Sequence, residues 1–134
     1  MINGKITRLL SILIVSALLA VLICACASTP GSPLWAGKYT GTIPAADSPG
    51  IDVQLTLKAD FTFLLVYEYI DTEEGTFNWE GTFSRKGSLI TLTMEEDPNN
   101  FPQFYRIGSN QLHQLDMEGN EITGEFAEMY ILIK

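Results

Sequence analysis

The sequence predicts an all-β protein, a small eight-stranded antiparallel up-and-down barrel that follows an N-terminal lipoprotein signal peptide. Three observations carry this reading. Apolar and polar residues alternate in segment after segment from Trp35 onward, turn residues separate the segments at short intervals, and no long stretch of 3.6-residue period follows the apolar N-terminus. Eight sequential strands with short connections can close on themselves, which removes exposed sheet edges.

The N-terminus is read first. Lys5 and Arg8 precede an almost unbroken apolar run from Leu9 to Ile23, the layout of a secretory signal. Ile23-Cys24-Ala25-Cys26 then resembles a bacterial lipobox, with small Ala25 before a cysteine that is acylated and becomes the new N-terminus. Cys24 fits poorly, because bulky Ile23 would stand just before the cut. The expected organisation is a signal peptide over 1–25, a lipidated N-terminus and tether over 26–34, and a barrel domain over 35–134. The other reading is an uncleaved transmembrane helix from about Leu9 to Ala27, near the lower length limit for crossing a bilayer. Either way the domain is extracytoplasmic, since the early positive charges all precede the apolar run. The expected location is the cell envelope, anchored to the outer membrane if the source has one. With Cys24 removed and Cys26 blocked, no thiol remains for a disulfide.

The strands are justified in order. Tyr39, Gly41 and Ile43 alternate with Lys38, Thr40 and Thr42, and Ile51, Val53, Leu55 and Leu57 alternate with Asp52, Gln54 and Thr56. Phe77, Trp79, Gly81 and Phe83 oppose Thr76, Asn78, Glu80 and Thr82, and Ile90, Leu92 and Met94 oppose Thr91 and Thr93. The predicted strands span roughly 36–43, 51–58, 61–70, 76–84, 88–94, 103–107, 111–116 and 127–133. Turns are marked by Lys58-Ala59-Asp60, Glu73-Glu74-Gly75, Arg85-Lys86-Gly87, Gly108 to Asn110 and Glu118-Gly119-Asn120. The third strand breaks the pattern, with Phe61, Phe63, Leu65, Tyr67 and Tyr69 on one face and Leu64, Val66 and Ile70 on the other. A terminal segment or the tether is expected over its outer side, the alternative being a partner-binding surface.

Charge narrows the function. Loss of Lys5 and Arg8 lowers the net charge from −8 by two. Such an acidic domain repels phosphate backbones and anionic headgroups, which excludes nucleic-acid binding by charge neutralisation.

The segment Gly37-Lys38-Tyr39-Thr40-Gly41-Thr42-Ile43, the loop Pro44-Ala45-Ala46-Asp47-Ser48-Pro49-Gly50 and the strand from Ile51 resemble the N-terminal domain of the copper resistance lipoprotein NlpE family. Asp60-Phe61-Thr62-Phe63, Gly75-Thr76-Phe77, Gly81-Thr82-Phe83, Leu112 to Asp116 with Gly119, and Tyr130-Ile131-Leu132 extend the resemblance over nearly the whole mature chain. It implies a lipocalin-like barrel on an envelope lipoprotein, with roles in copper tolerance and stress or surface-contact signalling. Ala45 and Ser48 stand where that family's C-x-x-C loop has cysteines. Soft thiolates are what Cu(I) selects, so a copper site is not expected here. The loop from Pro44 to Gly50 is the candidate recognition element, presenting Asp47 and Ser48.

Other chemistry is sparse. His113 and Met117 share a strand face but stand about 13 Å apart at ~3.3 Å per residue, too far for one metal ion without a bend. Glu95-Glu96-Asp97 with Asn99 and Asn100 lack a spaced Ca²⁺ loop. The sequence has no Gly-x-Ser-x-Gly elbow, phosphate loop or H-E-x-x-H, so neither enzyme activity, metal nor cofactor is expected. Two functions stay open. One is a stress or surface-sensing module acting through contacts with another envelope or signalling protein, and the other is a carrier holding a small molecule in the barrel. Inward Tyr67, Phe77, Trp79 and Phe83 would fill the interior and disfavour the carrier.

Overall fold

A computed structural model of the chain describes residues 31–73, 75–96 and 101–134. Cys26 and the apolar run before it lie outside the described residues. Ser32–Lys134 form one compact unit. Its strands are β1 (Gly37–Ile43), β2 (Ile51–Leu57), β3 (Thr62–Tyr69), β4 (Thr76–Lys86), β5 (Leu89–Thr93), β6 (Phe104–Ile107), β7 (Gln111–Gln114) and β8 (Ile131–Ile133). They close in sequence order into an antiparallel barrel. This is the fold that the alternation predicts.

Period-two patterning places one face of each strand inside. Tyr39, Val53, Leu55, Phe63, Leu65, Ile90, Tyr105, Leu112 and Leu132 are almost fully buried. Their summed apolar surface is the main stabilising term, at about 25 cal/mol per Å² removed from water. The outer face is polar except on β3: Gln54, Val66 and Asn78 stand opposite one another across β2, β3 and β4, as do Thr56, Leu64 and Glu80. Leu64 and Val66 are half-buried on this face. Of the expected tether over 26–34, residues 31–34 are described and Leu34 among them is exposed, while 26–30 lie outside the described residues.

The ladders are unequal. β1 to β4 are joined by three ladders of seven residue pairs each, whereas β5 to β8 are joined by ladders of three. Closure itself rests on one pair, Thr40 opposite Ile133. Two glycines make room where walls approach. A Cβ on Gly41 would lie 2.9 Å from Leu132 Cδ2 and 3.0 Å from the Ile131 carbonyl oxygen, and one on Gly81 would run into the Thr93 carbonyl and sit 2.9 Å from Phe63 Cε1.

The eighth strand is shorter than predicted. Ala127, Met129 and Ile131 alternate as a strand would, yet Ala127–Tyr130 form a 3₁₀ turn. Backbone N–H groups of Ala127 and Met129 donate to the Gly124 and Phe126 carbonyls at 3.2 and 3.0 Å, so local bonds replace the ladder. β7 likewise ends at Gln114, because the Asp116 carboxylate accepts the Glu118 and Asn120 N–H groups at 2.9 and 2.8 Å and turns the chain. The Asn120 N–H is the main reason that this carboxyl is held below its usual range.

The chain enters the barrel at one end, which also carries the turns at 58–61, 87–88 and 108–110. Trp35 caps this entry end, its ring 5.3 Å from Phe61 and 5.4 Å from Phe83. Phe61 precedes β3 instead of opening it, in a left-handed conformation (φ 63°) that brings its ring over the rim. That strain, of order 1–3 kcal/mol, is offset by the aromatic contacts and by Asp60, which accepts from the Thr62 N–H at 3.0 Å and hydroxyl at 2.6 Å. Tyr39 donates its hydroxyl to the Trp35 carbonyl (2.8 Å), and Lys134 Nζ donates to the Leu34 carbonyl (2.7 Å).

Inside the barrel the buried Tyr67 and Tyr105 hydroxyls and Gln114 Oε1 gather without a well-formed hydrogen-bond partner. Burial pushes both phenols well above their usual range. An unpaired buried hydroxyl contributes no net stability. Tyr105→Phe is therefore expected to leave the urea midpoint unchanged or raise it. Gly81→Ala should instead cost about 2 kcal/mol, because the Thr93 backbone cannot move aside; a shift of the same urea curve checks both.

Candidate functional site

The end opposite the entry carries four loops: 44–50, 70–75, 94–103 and the long segment 115–130. The first is shaped by its own residues. Ser48 Oγ donates to the Gly50 carbonyl (2.9 Å) and accepts from the Gly50 N–H (3.3 Å). Gly50 is buried, and its carbonyl also accepts the Ile70 N–H at 3.1 Å. A Cβ there would lie 2.8 Å from Thr42 Cγ2 and 3.2 Å from the Ile43 carbonyl, so glycine permits the close approach. Pro44 and Pro49 restrict the backbone on either side. At the base, Thr42 donates to Asp52 at 2.6 Å.

These bonds divide the roles of the loop residues. Ser48 is half-buried and turned back on its own backbone, so of the two expected polar groups only Asp47 is presented outward. Ala45 is half-buried and packs against the core, while Ala46 and Pro49 are exposed.

Beside the loop lies an aromatic rim. Tyr69 and Phe77 rings meet edge to face at 5.8 Å, Phe77 stacks on Trp79 at 6.2 Å, and Trp79 meets Tyr67 edge to face at 5.2 Å. The inward set expected from sequence is therefore graded. Tyr67 and Phe83 are buried, Trp79 is half-buried, and Phe77 is 44% exposed at the mouth. The same alternation continues to the rim, where no opposite wall remains to cover it.

A cavity of about 180 Å³ opens between the end of β7, Ile122 and the 3₁₀ turn, with Gln114 and Tyr130 in its wall. Gln114 also belongs to the interior polar trio, so the cavity adjoins it. His113 lies on the outer face of β7, its Nε2 within 2.7 Å of Gln111 Nε2. Met117 lies beyond the end of β7 and is exposed, so these two do not share a strand. Among the described residues no three His, Cys, Asp or Glu side chains come together as metal ligands. Asp97, Asn99 and Asn100 lie outside the described residues. The aromatic rim and the polar trio were not singled out as a site by sequence; strand register, which pairs Tyr67 with Phe77 and Tyr105 with Gln114, is what assembles them.

Comparison with known proteins agrees with this architecture. The model of the NlpE N-terminal domain family matches residues 39–125. Lipoprotein NlpE of Escherichia coli (strain K12) is 32% identical over 91 residues, which are 66% of this chain and 37% of that protein. The 17 kDa lipoprotein of Treponema pallidum (strain Nichols) is 28% identical over 107 residues, covering 73% of this chain and 69% of the relative. Among solved structures, a lipoprotein from Shewanella oneidensis superposes with a TM-score of 0.64 at 44% identity, over 75% of this chain and 88% of that one. The Cpx pathway activator NlpE from Escherichia coli superposes with a TM-score of 0.57 at 30% identity, over 67% and 47%. The chain thus spans 37% of the length of the Escherichia coli lipoprotein. The family model matched over residues 39–125, together with these relatives, places the chain in the family of the NlpE N-terminal domain, as an envelope lipoprotein of the NlpE type.

Proposed function

We propose that the protein is a sensing module that reports envelope stress or surface contact through protein contacts made at its loop end. The observation that carries this is the pairing of a braced loop, Pro44 to Gly50, with half-exposed Tyr69, Phe77 and Trp79 on one rim. Rigid loops presented by a barrel are where small β domains place binding residues, and exposed aromatics are enriched where proteins meet. Acylated Cys26 anchors the chain, and Trp35 enters the barrel at the end opposite these loops. The relative in Escherichia coli is described as an activator of the Cpx pathway, and a signalling output of the same kind is the reading adopted here. With Ala45 and Ser48 in the loop, the signal passes through contact and not through thiolate-bound copper.

The carrier reading has one observation in its favour, the unpartnered trio of Tyr67, Tyr105 and Gln114 beside the 180 Å³ cavity. That space suits a small hydrogen-bonding molecule. It does not suit a lipid, because the rest of the interior is filled by side chains.

Three substitutions test the sensing reading. Cys26→Ala should release the protein from membranes or halt its maturation, read by fatty-acid labelling. Asp47→Ala should leave the melting temperature unchanged, within ~0.5 kcal/mol, and weaken partner crosslinking and stress-pathway output. Ser48→Ala should lower stability by about 1 kcal/mol, because it removes the brace on Gly50. If output survives Asp47→Ala intact, the loop is a turn and the sensing surface lies elsewhere.

A further inference from the structure

The net charge conceals a separation along the barrel axis. Of the six cations that follow the signal segment, five (Lys38, Lys58, Arg85, Lys86 and Lys134) lie at the entry end, where Asp60 is the one acid among the described residues. The sixth, Arg106, is bound to Glu121 in an ion pair. The loop end holds Asp47, Asp71, Glu73, Glu95 and Glu96, and the segment 116–128 adds five more acids. Exposed apolar side chains occur at both ends, with Leu34 (94% exposed), Ile133 and Phe61 at the entry and Phe77, Met117, Phe126 and Met129 at the loop end, so it is their company with cations that distinguishes the entry end. Arg85 lines a cleft of about 240 Å³ with Leu34, Trp35 and Tyr39, open at this end.

We infer that the entry end is a membrane-docking face that lies on the anionic phospholipid surface holding the lipid anchor. This rests on the reading of Cys26 as acylated. Basic side chains with exposed Leu, Ile and Phe form the combination that binds anionic headgroups while inserting apolar groups at the boundary. Geometry makes the acidic remainder harmless. Strands of seven or eight residues rise about 25 Å, or about 20 Å along the axis at ordinary barrel tilt, which is more than twice the Debye length of ~8 Å at physiological salt. Acids at the loop end are then screened from the surface, whereas the five cations stand against it. The repulsion from anionic headgroups expected from net charge therefore applies to the loop end and not to the molecule as a whole. Eight residues, Ala27 to Leu34, lie between Cys26 and Trp35, a reach of about 30 Å at most, so an acylated Cys26 leaves this end within reach of the bilayer.

The chain has two tryptophans, Trp35 at the entry end and Trp79 packed with the rim aromatics Tyr67 and Phe77, and this supplies the test. Full-length lipidated protein carrying Trp79→Phe or Trp35→Phe is reconstituted into vesicles with brominated acyl chains. One preparation is phosphatidylcholine alone, and the other contains one fifth phosphatidylglycerol. Docking predicts that Trp35 emission falls about two-fold or more in the anionic vesicles and little in the neutral ones. It also predicts that Trp79 is unaffected in both, and that high salt or Lys58→Glu with Lys86→Glu removes the difference. Unchanged circular dichroism shows that the double variant is folded. Equal quenching of the two tryptophans, or Trp35 quenching indifferent to phosphatidylglycerol, overturns the docking. Flotation separates the two readings. Protein that floats with both vesicles without selective Trp35 quenching keeps the anchor and overturns the docking. Protein that floats only with anionic vesicles overturns the anchor and keeps the docking, and flotation with neither overturns both.

Discussion

The sheet becomes a barrel because β8 can lie against β1 at Gly41, where any side chain would press on Leu132 and the Ile131 carbonyl. One residue pair in register completes the circle, and the Lys134 side chain ties the end of β8 to the carbonyl of Leu34. The rest of the molecule depends on this closure. Once the wall is continuous, the inward side chains below the rim, from Tyr39 to Leu132, are enclosed without a second sheet or a covering helix, and every strand has a neighbour on both sides. The enclosed volume is small, which is why large aromatics suffice to fill it and why the unpaired polar atoms of Tyr67, Tyr105 and Gln114 stand out.

Enclosure along the axis differs between the ends. At the entry, Trp35 with Phe61 and Phe83 forms a lid, and a strained backbone at Phe61 is tolerated to complete it. At the other end, the inward stripe of β4 runs past the last enclosed layer, and Phe77 emerges beside the loop that Ser48 and Gly50 shape. A rim of this kind offers apolar area at fixed positions with little conformational entropy to lose on contact. Charge follows the same axis, and the two ends of the domain accordingly suit different neighbours.

Much of this was legible in sequence, and particular residues explain the rest. Alternation in β1, β2, β4 and β5 located strands and inward faces, because one buried face imposes period two on any half-buried strand. It failed for Ala127 to Tyr130, where the same spacing serves a 3₁₀ turn whose hydrogen bonds are local. The loop from Pro44 to Gly50 was visible as a turn, but Ser48 as a brace and Asp47 as the outward group depend on rotamers that composition does not encode. The charge count was correct as a total and misleading as a distribution, since strand register alone decides that Lys58, Lys86 and Lys134 share one end.

The unequal ladders divide the wall into two mechanical halves. β1 to β4 form a broad, long-paired sheet, while β6, β7 and β8 are each four residues or fewer and rest on three-pair ladders. Fluctuations that part strands must break fewer backbone bonds on the short side, so local opening is concentrated there and the long side behaves as a rigid plate. The long side carries the 44–50 loop and the aromatic rim, and the short side carries Gln114 and the small cavity. Contact at the rim therefore meets a preset surface, whereas any molecule reaching the interior polar groups enters through the half of the wall that breathes.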